Sequence, residues 1–408
     1  MSVVRRRTAR NAPGPRLPAV FGGRHCDACR ACAACDDAPV SADRRVVKAQ
    51  LRAQEDADAL TLCAPDAVPR QLHVAVGDPQ APLEKFLSIL DLNGLLGDAG
   101  RLRPEVGLVS MGDHFDWGRP DEREKATEEG TALLSWLAAH PPDQVKILVG
   151  NHDLVRVGEL SGFTDATFSE ARALADLAVQ PQQQAALLTR YPMLASPGVI
   201  TRDYSCFSVR QRNLVTRLLK ARRVKLALAP APDLLLVHAG VTLADLEPLG
   251  PVALDAHSIA ELLNRFLEAR VTKWRGEGAL DLAPLHELGS AREGEARGIL
   301  AHRPANPASK QVDRASRRYD PRSLPQGITQ VIGHINDKKC RELMGPWAFT
   351  QIPELGCLRG LEVGARVEYH LGCRDEDRLL FLDGAMHQVA AVEYELFDLE
   401  LRQRLVLR

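Results

Sequence analysis

Val106-Gly107-Leu108-Val109-Ser110-Met111-Gly112-Asp113-His114-Phe115-Asp116-Trp117-Gly118 decides how the rest of the chain is read. Its first six residues are apolar or small, the texture of a strand buried on both faces. The following residues place two carboxylates and an imidazole between glycines, which let the backbone turn sharply. The same sequence of buried strand, then ligand, recurs four more times. Leu72–Val76 runs into Gly77-Asp78-Pro79-Gln80, and Gln144–Val149 runs into Gly150-Asn151-His152-Asp153. Leu234–Val237 precedes His238-Ala239-Gly240, and Thr329–Ile332 precedes Gly333-His334. In open α/β sheets ligands gather beyond the carboxyl ends of the strands, so the five motifs predict one shared site.

Each motif alone has an ordinary explanation. An Asp after a strand is more often a helix cap, Asn151 caps the turn it would open, and a lone His238 reads as a satisfied core histidine. The joint pattern, five glycine-flanked ligand sets each ending a buried strand, is what speaks for chemistry. Carboxylates, imidazoles and an amide together suit Mn²⁺, Fe or Zn²⁺ better than a soft thiolate site would.

The remainder of the 408-residue chain fits a large α/β domain. Lys+Arg (52) and Asp+Glu (53) nearly cancel, which speaks against a dedicated nucleic-acid binder. No apolar run approaches the roughly 18 residues of a membrane span. Arg5, Arg6 and Arg7 are not followed by an apolar stretch, so no secretory signal is expected. Nine cysteines, an odd number, argue against a disulfide framework and for a reducing cytoplasm.

Residues 1–70 differ in texture, with Pro, Arg, Ala-rich stretches and the run Cys26-x-x-Cys29-x-x-Cys32-x-x-Cys35. Such thiols can grip zinc or an iron–sulfur cluster, but the pairs lack the longer loop of zinc sites, so a disordered tail is expected. The domain proper is expected over 71–400, and a chain starting near Ala67 should keep it intact. Helices are expected from Pro82 through Leu96, from Asp121 to Ala139, and over much of 151–234. The basic segment Arg210–Lys225 reads as a solvated helix face. The tail from Ala365 to Arg408 alternates like an antiparallel meander, and no internal repeat is found.

The order of motifs resembles the signature of the calcineurin-like metallophosphoesterase superfamily: Asp-x-His, Gly-Asp-x-x-Asp, Gly-Asn-His-Asp/Glu, His and Gly-His. Gly150-Asn151-His152-Asp153 and His238-Ala239-Gly240 look most like its bacterial branch, near diadenosine tetraphosphatases and serine/threonine-type protein phosphatases. Phe381-Leu382-Asp383-Gly384-Ala385-Met386 resembles that branch's last core strand. The resemblance implies a sandwich of two mixed β-sheets flanked by helices, with a dinuclear metal site at the strand ends. Asp113 would bridge two divalent ions, Mn²⁺ first among them. Asp78 and Gln80 would hold the first; Asn151, His238 and His334 would hold the second. A hydroxide bridging the metals would attack phosphorus. His152, oriented by Asp116, would protonate the leaving oxygen.

Two residues depart from that pattern. Gln80 stands where the family has His, and a Gln carbonyl is a weaker donor toward Zn²⁺ or Fe than imidazole. Trp117 stands where the phosphatase branch has an Arg that clamps the phosphate, and packing is the expected role of Trp117. Arg119, Arg156, Arg303 and Arg322 are candidate replacements; Arg303 is preferred because His302-Arg303-Pro304 resembles a phosphate-binding segment. The function expected is metal-dependent hydrolysis of a phosphorylated protein or a dinucleoside polyphosphate, without membrane or nucleic-acid partners. A degenerate scaffold that binds a protein partner is the rival, with Gln80 and Trp117 as its evidence. A metal-regulated nucleic-acid binder using the cysteine run and the basic helix is a third reading.

Overall fold

The computed structural model describes residues 42–308, 317–348 and 354–406, so Cys26, Cys29, Cys32 and Cys35 lie outside the described residues. Helix α1 (Ala42–Ala59) leads into β1 (Leu72–Val76), α2 (Leu83–Leu92) and β2 (Val106–Ser110). Then come α3 (Arg123–Ala138), β3 (Val145–Leu148) and a single turn, α4 (Asn151–Leu154). A helical insert follows, α5 (Asp165–Leu177), α6 (Pro181–Arg190) and α7 (Val209–Lys220), before β4 (Val224–Lys225). The second half opens with β5 (Ala227–Ala231), β6 (Leu234–Val237), α8 (Leu243–Leu246) and α9 (Ala256–Trp274). Four two-residue strands come next: β7 (His286–Glu287), β8 (Arg297–Gly298), β9 (Arg303–Pro304) and β10 (Arg318–Tyr319). The chain ends through β11 (Thr329–Ile332), α10 (Asp337–Met344), β12 (Arg359–Val363), β13 (Val367–Leu371), β14 (Asp377–Phe381), β15 (Phe397–Asp398) and β16 (Gln403–Arg404).

Two six-stranded mixed sheets result, in the orders β16-β15-β1-β2-β3-β4 and β13-β12-β14-β11-β6-β5. Within the first, β1 to β4 are parallel; within the second, β6, β11 and β14 are. The strands read as unbroken apolar runs because both faces are covered. Ala75, Val109, Leu148, Leu236, Val331 and Leu380 meet between the sheets. Their neighbours Val74, Val76, Leu108, Ile147, Leu235 and Ile332 join the outer core with Phe86, Leu133, Trp136 and Leu263 of the helices. The two-residue period of a strand thus divides each run between two apolar layers.

Several expectations are redrawn. Pro82 caps α2 rather than opening it, and the helix stops at Leu92, where Asn93 and the left-handed Gly94 (φ 61°) turn the chain. The tail is not one meander. β12 pairs with both β13 and β14, while β15 and β16 cross to the first sheet beside β1. Strand β1 would otherwise present an open edge to water. The basic segment forms α7, with Leu214, Val215, Leu218 and Leu219 buried and Arg210 paired to Asp58 of α1.

The largest change concerns the start of the packed body. Val40–Arg408 is one unit, and α1 packs on α2 and α3. Val46, Ala49, Ala53 and Ala57, at helical spacing, are buried. Arg45 pairs with Asp91 at 2.6 Å, and Arg101 pairs with Asp56, tying the helix at both ends. The boundary expected at 70 therefore lies near 40. No helix among the described residues is long and apolar enough to cross a membrane.

A chain beginning at Gln71 should lose roughly 3–5 kcal/mol of stability with the α1 contacts. One beginning at Val40 should melt like the full chain. Urea unfolding of the two truncations, followed by circular dichroism, checks this.

Candidate metal centre

Each strand end delivers its candidate ligand for a local reason. Asp78 lies just beyond β1, Asp113 beyond β2, Asn151 beyond β3, His238 beyond β6 and His334 beyond β11. The approach is so close that only glycine fits at its joints. A Cβ on Gly150 would lie 2.1 Å from Asp113 Oδ1, and one on Gly333 would lie 2.0 Å from Asp78 Oδ1. Asp113 (φ 55°), Asp116 (φ 67°) and His334 (φ 63°) all occupy the left-handed region, which non-glycine residues rarely adopt. Backbone held there by its surroundings clusters at functional sites.

Donor atoms of Asp113, His238 and His334 lie within 4.8 Å of one another, all three residues buried. His238 Nδ1 donates to the Met111 carbonyl at 2.8 Å, which turns Nε2 inward. That nitrogen is 3.3 Å from Asp113 Oδ2 and 3.2 Å from Asn151 Oδ1. His334 contributes a buried Nε2 with no hydrogen-bond partner. A carboxylate oxygen, an amide oxygen and two imidazole nitrogens thus converge, a donor set that fits a divalent cation. Burial opposes charge on the His238 ring, yet the facing Asp113 raises its pKa above the ordinary value.

Asp78 and Gln80 stand apart from this cluster. Asp78 Oδ2 accepts the His334 backbone N–H at 2.7 Å, and Oδ1 is buried without a partner. Burial, and then the neighbouring Asp383 and Asp113, push the Asp78 carboxyl well above its usual range. Gln80 Nε2 donates one N–H to the Phe115 carbonyl at 2.8 Å, and its oxygen makes no hydrogen bond there among the described residues. Among the described residues Asp78 forms no second three-residue cluster of His, Cys, Asp or Glu donors.

His152 sits beside the cluster. Its backbone N–H donates to Asp113 Oδ1 at 2.9 Å, and its Nδ1 meets Asp116 Oδ2 at 2.9 Å. Nε2 then lies 3.9 Å from Asp113 Oδ2. Burial works against the charged ring, but Asp113 and Asp116 raise the His152 pKa. Asp116 is itself gripped by Arg156 Nη1 at 2.7 Å and by the Cys206 N–H at 2.8 Å. Burial alone would push the Asp116 carboxyl up; Arg156 and His152 outweigh it and hold its pKa at about 2.

Of the four candidate phosphate clamps, Arg156 is fully buried and committed to Asp116. Arg322 pairs with Asp320 at the surface. Arg119 is exposed beside Glu122. Arg303, on β9, lines a cavity of about 540 Å³ with Asn151, His152, Tyr204 and Arg317. Burial, and then Arg317, bring its pKa down to about 10. Trp117 is packed with Ala126 and Cys206, as expected.

Three supporting residues escaped the sequence reading. Asp153 accepts the N–H groups of Gly150, Asp113 and His114 at 2.8, 3.0 and 3.1 Å, fixing the turn that carries Asp113. Its place as the last letter of Gly-Asn-His-Asp was the available signal. Arg317 pairs with Glu295 near Arg303. Tyr204 donates no motif at all; it arrives from the helical insert.

Asp116→Asn should cost about 3 kcal/mol at pH 7, because it leaves the Arg156 guanidinium buried beside a neutral amide. The Asp116 carboxylate stabilises the fold above its unfolded pKa near 4 and loses that contribution as pH falls toward 2. The gap between wild type and variant should therefore narrow between pH 4 and pH 2, as read by urea unfolding.

No family model matches the chain, and no curated protein matches it. Among solved structures it is similar to a protein serine/threonine phosphatase from Saccharomyces cerevisiae, described as having similarity to human phosphatase PP5. The two are 12% identical over 75% of this chain and 76% of that one, with a TM-score of 0.34. Nothing in these comparisons speaks for the bacterial branch.

Proposed function

We propose that the protein is a metal-dependent phosphoester hydrolase of the metallophosphoesterase type. The observation that carries this reading is one arrangement. Four inward-facing donor atoms of Asp113, Asn151, His238 and His334 meet beside an imidazole that Asp116 holds by its far nitrogen. A structural cluster needs no such poised proton carrier.

Divalent cations bound there, Mn²⁺ foremost, supply Lewis acidity toward a phosphoryl group and a nucleophile at neutral pH. The chain's own residues do the rest. Asp113, Asn151, His238 and His334 would hold one cation, and Asp78 with Gln80 would offer oxygens to a second. His152 keeps a proton on Nε2 and passes it to the leaving oxygen, while Asp116 fixes its tautomer and ring plane. Arg303 binds the phosphate from the cavity side. The substrate is a phosphorylated protein or a dinucleoside polyphosphate. The setting is the reducing cytoplasm, in keeping with the free thiols of Cys63, Cys206, Cys340, Cys357 and Cys373.

Hydrolysis of p-nitrophenyl phosphate with added Mn²⁺ tests the reading directly. Asp113→Asn should abolish that turnover and lower Mn²⁺ retention; unchanged activity in the folded variant would refute the shared carboxylate. His152→Ala should lower kcat by about 10²–10⁴-fold and keep metal content near wild type. The loss should be smaller for p-nitrophenol than for leaving groups that need a proton.

Gln80→His adds an imidazole where the chain has an amide. It should lower the Mn²⁺ concentration for half-maximal activity by about 10-fold or more, and tighten Zn²⁺ still further. Activity against free Mn²⁺, with metal content read after dialysis, separates this from a Gln80 that faces elsewhere.

A further inference from the structure

The segment between α4 and α7 packs largely within itself. Leu160, Phe163, Phe168, Leu187, Leu194 and Phe207 form an apolar cluster separate from the two sheet layers. Tyr204 belongs to that cluster, directly after a π-helical turn (Val199–Asp203), and its N–H bonds back to Val199 at 2.7 Å. Single π turns recur at functional sites. Here the turn precedes the Tyr204 hydroxyl, which reaches Asn151 at the end of β3.

Tyr204 Oη lies 3.0 Å from Asn151 Nδ2, and both side chains are buried. An amide has two chemically different ends, and a cation can be held only by its oxygen. With Nδ2 donating to Tyr204, Oδ1 is left toward His238 and Asp113. The Tyr204 ring meanwhile stands edge-on to the His152 imidazole, centroids 4.8 Å apart and planes at 71°. It also lines the cavity shared with Arg303.

We infer that Tyr204 is a positioning residue of the metal centre: its hydroxyl locks the Asn151 amide with the oxygen facing the cation. The helical insert thereby sets the affinity of that position, a role that no strand-end motif performs. The inference rests on the metal reading above. Without the hydroxyl, a half-turn of the amide would bring an NH₂ group into the cluster, where it has no lone pair to offer.

The experiment is Mn²⁺ binding by calorimetry, with Mn²⁺ electron paramagnetic resonance as a second readout. Tyr204→Phe keeps the ring against His152 and should weaken Mn²⁺ about 10-fold, the lower end of what outer hydrogen-bond partners contribute. Asn151→Asp supplies two equivalent oxygens and so has no wrong end. In that background Tyr204→Phe should change affinity by less than about twofold, since the two side chains act through one bond. A Tyr204 that only supports the insert would lower affinity equally in both backgrounds, and that result overturns the inference. Tyr191→Phe, elsewhere in the same cluster, should match wild type. If wild type binds no Mn²⁺, the metal reading falls too; if it binds and Tyr204→Phe binds equally, only this inference falls. Should Tyr204→Phe not fold, proton exchange of the Asn151 side-chain amide in wild type reads the same bond. Protected protons support the inference, and exchange at the rate of a free amide overturns it.

Discussion

An ionised carboxylate buried at the joint between two sheets is costly unless its surroundings supply charge and hydrogen bonds. Asp113 is in that position, and much of the structure can be understood as what compensates it. The His152 N–H reaches Oδ1, and His238 approaches Oδ2. Burial pushes the carboxyl up, but the two imidazoles more than offset it and leave the pKa below its ordinary value. The left-handed backbone at Asp113 is held by Asp153, whose carboxylate takes the N–H groups on either side of the Asp113 carbonyl. Remove that clamp and the carboxylate would no longer be aimed across the gap between the sheets.

The same logic extends to His152. Arg156 occupies the space behind Asp116, stacked on Phe115 and bonded to the His152 and Cys206 carbonyls. A buried guanidinium with every face committed has no group left for a substrate, whereas Arg303 lines the cavity. Arg156 instead keeps Asp116 ionised, and an ionised Asp116 keeps the His152 tautomer fixed.

Elements outside the sheets set how firmly this is held. Helix α1 covers α2 and α3, whose apolar side chains share one core with those of β1 and β2. The insert between α4 and α7 brings Tyr204 to Asn151, and α7 returns to fill the outer core with Leu214 and Leu218.

The five strands and the polar residue that follows each were legible in the sequence. Doubly covered strands are unbroken apolar runs, and a glycine beside a polar residue marks a sharp exit from them. Helix α1 was faint because its buried face is mostly alanine, which carries little of the hydrophobic contrast that marks an amphipathic helix. Tyr204 was invisible because a lone aromatic in a helical stretch looks like core. What only the tertiary structure decided is convergence: His334 donates to Asp78 across 256 residues, and Asn151 meets Tyr204 through a folded insert. Local pattern encodes where a chain turns and which face it buries. Which turns meet is set by how two sheets pack and how long loops close, and those are properties of the whole chain.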